Sequence, residues 1–148
     1  MRKKIRTIKF LLLVIIIIGG GFGYYHSHYI APDDYTIKKT TINNNSLPNE
    51  FANFEIGFIS DINLQNSSDI TRLEKIVTSL NIQHVDMLIF GGDLFTDIPF
   101  DNEKVIEVLS NIKSSYGKFA VLGEKDLASL NDVTSILNEG GFEVLHNE

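Results

Sequence analysis

Three carboxylates stand at the ends of three short apolar runs, and their spacing is regular. Phe54 to Ser60 (FEIGFIS) leads to Asp61, Met87 to Gly92 leads to Asp93, and Lys118 to Leu122 (KFAVL) leads through Gly123 and Glu124-Lys125 to Asp126. The three aspartates are separated by 32 and 33 residues. An interval of that size accommodates one strand-helix-strand crossover, so parallel neighbours would carry all three tips to one edge of a sheet. In open α/β sheets ligands bind just beyond the carboxyl ends of the strands. Carboxylates gathered there suit a hard divalent cation, or a metal that carries a phosphoryl group.

The elements that must position these groups are legible in the hydrophobic pattern. Met87, Leu88, Ile89 and Phe90 form an unbroken apolar run closed by Gly91-Gly92, as expected of a strand buried on both faces that stops at a tight turn. Between the first two runs, Asn66-Ser67-Ser68-Asp69 supplies helix-capping residues, and Ile70, Leu73, Ile76, Val77 and Leu80 follow at helical spacing. Asp101 and Asn102 offer a second cap, ahead of Val105, Ile106, Leu109 and Ile112. Asn131 or Asp132 offers a third, with Val133, Ile136 and Leu137 turned inward, and Gly140-Gly141 ends that helix before a last strand, Phe142 to Leu145. The expectation is a βαβ-repeat α/β sheet over 47–148. Upstream, Tyr35 to Ile42 (YTIKKTTI) is rich in β-branched residues and reads as a strand, and Asn43 to Asn53 reads as a loop.

The series FISDIN, FGGDLFTD, FAVLGEKD resembles the opening motifs of the calcineurin-like metallophosphoesterases, D-x-H, G-D-x-x-D and G-N-H-D/E. The resemblance covers roughly Leu47 to Glu148 and implies the first half of that family's two-sheet sandwich. By it, Asp61 stands at the first metal-ligand position and Asp93 at the carboxylate that bridges two metals. Gly92, Asp97, Gly123 and Asp126 fill supporting motif positions. The chain also departs from the pattern: the first histidine is Asn63, and the asparagine and histidine of the third motif are Glu124 and Lys125. Asn63 and Glu124 are then substitute ligands, and Lys125 replaces the catalytic histidine. As an ordinary surface lysine it would pair with Glu124 or Asp126. The implied activity is phosphoester hydrolysis with divalent Mn, Fe, Zn or Mg, or no metal at all if the substitutions have emptied the site. The expectation is a truncated and catalytically impaired homologue, or else a non-catalytic interaction module on the same scaffold, whose open sheet a protein partner would complete.

Met1 to Lys9 carries five basic residues, and Phe10 to Tyr25 (FLLLVIIIIGGGFGYY) is then uncharged for sixteen positions. With Tyr24, Tyr25 and Tyr29 as an interfacial belt, this reads as an uncleaved transmembrane anchor over 10–29 behind a cytoplasmic tail, 1–9, followed by a strand and linker over 30–46. The expected location is the cell membrane, with a single pass and the body outside the cytoplasm. His26 and His28 fall at the membrane exit. Beyond the tail the chain keeps 8 basic residues against 19 acidic ones, a net charge of −11, which argues against nucleic acid as a partner. Cysteine is absent, which excludes disulfides, thiolate metal sites and thiol nucleophiles.

Overall fold

The computed structural model describes residues 2–25 and 36–146, in two units divided at Asn44/Asn45. The N-terminal unit holds one helix, α1 (Arg2–Tyr25), whose Phe10, Leu11, Ile15 to Ile18 and Phe22 are exposed. Among the described residues no helix is long and apolar enough to cross a membrane, so the span expected over 10–29 is not established. Residues 26–29, with His26 and His28, lie outside the described residues. The strand expected over Tyr35 to Ile42 is absent from the described part, 36–42, which has no regular structure. Its alternation is too weak to make an apolar face, since Lys38 to Thr41 is polar throughout, and without a partner strand an isolated extended segment is not stable.

In the second unit four parallel strands pair in sequence order: β1 (Ile56–Ile59), β2 (Met87–Phe90), β3 (Lys118–Ala120) and β4 (Glu143–Val144). Register aligns Phe58 with Ile89, Ile89 with Phe119, and Phe119 with Glu143. The crossovers are α2 (Ser67–Gln83), α3 (Asn102–Ser110) and α4 (Leu130–Glu139). Because each connection advances one strand in the same direction, the helices share a face of the sheet, and α2 packs on α3 and α3 on α4. The core lies beneath them, where Leu88, Phe90 and Ala120 meet Leu73, Val105, Leu109, Val133 and Leu137. The other face carries Ile56 and Phe58, which are 56% and 65% exposed.

Of the three expected helix caps, one forms as predicted. Asn66 caps α2 with its side chain on the Ser68 N–H at 2.9 Å, and the Asp69 carboxylate closes the reciprocal half of the box. Asp101 stands at the start of α3 but in a left-handed conformation, φ 46°, and its side chain makes no capping bond. For α4 the cap is Ser129, not Asn131 or Asp132. A 3-10 turn over Lys125–Ser129 precedes the helix, and Ser129 makes no side-chain capping bond.

Lys118 locks the far ends of two helices to the sheet. Its ammonium donates to the carbonyls of Leu109, at 3.0 Å, and Gly140, at 2.6 Å, and lies 5.1 Å from the Phe142 ring centroid. A cation suits the negative ends of α3 and α4, although burial holds its pKa below the ordinary lysine value. Replacement by methionine keeps the stem and strands both carbonyls, so Lys118→Met is expected to cost about 1–3 kcal/mol in urea unfolding. An unchanged midpoint would show that water satisfies those carbonyls equally well.

Candidate functional site at the strand tips

The carboxyl-terminal tips of β1, β2 and β3 meet as the spacing predicts, and they are joined by backbone bonds that continue past the strands. Asp61 N–H donates to Gly92 O at 2.9 Å, Asn63 N–H to Asp93 O at 3.0 Å, and Leu64 N–H to Leu94 O at 2.9 Å. Asp61, Asn63 and Asp93 all adopt left-handed backbone, with φ of 55°, 52° and 60°. Asn and Asp tolerate this region better than other residues with a Cβ, but at a cost. Three such residues at one edge mark a place where the chain is held in strain by what surrounds it.

What holds it is Asp126, only 1% exposed. One carboxylate oxygen accepts the N–H groups of Asp93 at 2.7 Å and Gly123 at 2.8 Å, and the other accepts Leu94 N–H at 3.0 Å. The two tips touch so closely that side chains are excluded between them. A Cβ on Gly92 would lie 2.3 Å from Gly123 N, and one on Gly123 would lie 2.1 Å from Asp93 Oδ1. Gly92, Gly123 and Asp126 thus have supporting roles that are steric and hydrogen-bonding. Asp97 is exposed and takes no part in the junction.

The remaining site residues are arranged around Lys125. Its backbone N–H donates to Asp93 Oδ1 at 3.1 Å, and its ammonium donates to Asn63 Oδ1 at 2.6 Å. The Asn63 amide nitrogen donates in turn to Asp61 O at 2.7 Å. Lysine only donates, so the amide orientation is fixed by its partners. The pairing of Lys125 with Glu124 or Asp126 expected of a surface lysine does not occur. The ammonium instead bridges back across the sheet edge to the β1 tip, a contact that sequence separation conceals. Glu124 is exposed, and among the described residues neither it nor the Asp61 side chain has a partner.

Arg72 was not anticipated from the sequence. It reaches from α2 to Ile62 O at 2.7 Å and pairs with Asp69 at 3.5 Å, supporting the loop between Asp61 and Asn63. Its place one helical turn beyond Asp69, at i+3, was the available sign.

Comparison with known proteins places this geometry in context. The chain is 31% identical over 94 residues to an uncharacterized metallophosphoesterase of Campylobacter jejuni, covering 63% of the chain and 25% of that protein. It is 27% identical over 125 residues to the uncharacterized metallophosphoesterase YkuE of Bacillus subtilis, covering 82% of the chain and 44% of that protein. No family model matches. The chain therefore spans less than half the length of either relative, and the similarity supports a relationship to the calcineurin-like metallophosphoesterases. Their names imply divalent metal in those proteins.

The residues present here do not fit a two-metal centre. Among the described residues no group of three or more His, Asp or Glu side chains is placed to hold a metal ion. At the strand tips the candidate side-chain ligand atoms are the oxygens of Asp61, Asn63, Asp93 and Glu124, and that of Asn63 is already taken by an ammonium.

Two substitutions separate the scaffold from its strain. Asp126→Asn turns an NH₂ toward backbone N–H donors and is expected to cost about 1–3 kcal/mol in denaturant unfolding. Asp61→Gly removes a side chain without partners and relieves its left-handed backbone, so it should be more stable than Asp61→Ala by about 1 kcal/mol. Equal stability of the two Asp61 variants would show that the tip relaxes out of the left-handed region.

Proposed function

We propose that this chain is a membrane-attached domain of the metallophosphoesterase type whose strand-tip site is retained as a scaffold and whose hydrolytic activity is impaired. The observation that carries the reading is the Lys125 ammonium on the Asn63 amide oxygen, 2.6 Å apart, where the family pattern has imidazoles. A two-metal hydrolase needs both cations held together with a water position open to attack. An ammonium beside the donors repels a cation and occupies a ligand atom. Asp61 and Asp93 keep the identities of metal ligands in this reading, with Asn63 and Glu124 as weak substitutes and Lys125 in the place of the catalytic histidine.

A non-catalytic interaction module is the second reading, and the exposed Ile56 and Phe58 on the uncovered sheet face favour it. Both readings include attachment through α1. Its side chains are apolar on all sides from Phe10 to Phe22, which suits lipid contact, and the basic start favours a cytoplasmic N-terminus with the body outside. The acidic body disfavours nucleic acid.

Two measurements test this. The full chain in detergent, with Mn²⁺, is expected to leave bis(p-nitrophenyl) phosphate unhydrolysed above background. Turnover that Asp93→Asn abolishes would sink the impaired-site reading. In cells the chain should stay in the membrane pellet after alkaline carbonate washing, and residues from 36 onward should be open to protease added outside. Recovery in the soluble fraction would remove the membrane attachment.

A further inference from the structure

We infer that the Lys125 ammonium is a tethered cation that takes the place of a divalent metal at the tips of β1 and β3, so that the junction is complete without metal and closed to it. This rests on the impaired-site reading and adds its cause. Three contacts carry it. The ammonium lies 2.6 Å from Asn63 Oδ1 on the β1 tip, while the backbone N–H of the same residue lies 3.1 Å from Asp93 Oδ1 on the β2 tip. One residue of the β3 tip therefore contacts both other tips through oxygen atoms, which is the task a bridging cation performs between oxygen donors. The Asn63 amide is turned for this purpose, since its nitrogen is spent on Asp61 O at 2.7 Å and only the oxygen remains to face Lys125.

The surrounding groups agree with an internal cation. Among the described residues the Asp61 and Glu124 carboxylates have no partner, and no group of three or more His, Asp or Glu side chains is placed to hold a metal ion. A divalent ion would have to displace the ammonium from Asn63 and then sit beside it, against like-charge repulsion. Removing the charge while keeping the stem should free the Asn63 oxygen and lift that repulsion together.

Metal response separates this from a passive surface lysine. The full chain in detergent would be melted with EDTA and with millimolar Mn²⁺, as wild type, Lys125→Arg and Lys125→Met. Mn²⁺ alone would also be titrated calorimetrically into each. Wild type and Lys125→Arg should melt alike with EDTA or Mn²⁺ and give no binding heat. Lys125→Met should bind Mn²⁺ and gain about 4 °C or more on its addition. A Lys125→Met chain indifferent to Mn²⁺, or a wild type shifted as far as the variant, overturns the inference. Hydrolysis of bis(p-nitrophenyl) phosphate in the same wild-type samples is read separately. Turnover there defeats the functional reading itself, whereas its absence with a failed metal response defeats only the role given to Lys125.

Discussion

The junction at the strand tips depends on one buried carboxylate. Asp126 accepts three backbone N–H groups, two from the β2 tip and one from the β3 tip. A neutral acceptor pair could not replace it easily, because all three partners are donors and an ionised carboxylate is the side chain that offers acceptors alone. With that anion in place Gly92 and Gly123 are pressed together, Asp93 is fixed in its left-handed conformation, and its side chain is presented to the N–H of Lys125. The position of Lys125, and so the reach of its ammonium to Asn63, follows from an interaction one residue away in sequence.

Much of the fold was legible because its signals are local. The run Met87 to Phe90 is β2 to the residue, the Asn66 cap and the Ile70, Leu73, Val77 stripe lie on α2, and Val133, Ile136 and Leu137 are buried on α4. The misreadings came where context outweighed composition. Tyr35 to Ile42 has the β-branched residues of a strand, but in its described part, 36–42, no strand forms, and Lys38 to Thr41 offers no apolar face to offset the entropy of ordering it. Asp101 has the right side chain for a cap but, in its left-handed conformation, makes no capping bond. Convergence of the three tips could be read from spacing alone, whereas the Lys125–Asn63 bond could not, since it joins residues 62 apart through side chains whose direction the sequence does not encode.

The substitutions at the site are consistent with one another in physical terms. Asparagine at 63 and lysine at 125 are poor metal-site choices singly, but together they form a donor–acceptor pair that spans the gap between two loops. Histidine at 63 opposite an ammonium would pair only as the neutral ring, and asparagine at 63 opposite a histidine would lose the long reach that closes the gap. In the proposed reading, a pair of side chains unsuited to metal still joins the two loops. Consistency of this kind across neighbouring positions is what a folded junction requires.

Strain at the tips is usually taken as a mark of catalysis, and here it has a second explanation. Asp61, Asn63 and Asp93 turn left-handed at the points where the β1–β2 ladder loses its regular register, and the ladder then resumes through the Leu64–Phe95 bridge and Thr96 N–H on Leu64 O at 3.1 Å. The left-handed residues act as bulges that let two loops keep pairing beyond the strands. Their backbone N–H groups are spent on that pairing and on Asp126, so the strained conformation is maintained by the fold itself. The left-handed backbone at Asp61 and Asp93 is therefore accounted for by the fold itself, and in the proposed reading the chemistry at the edge turns on Asn63, Glu124 and Lys125.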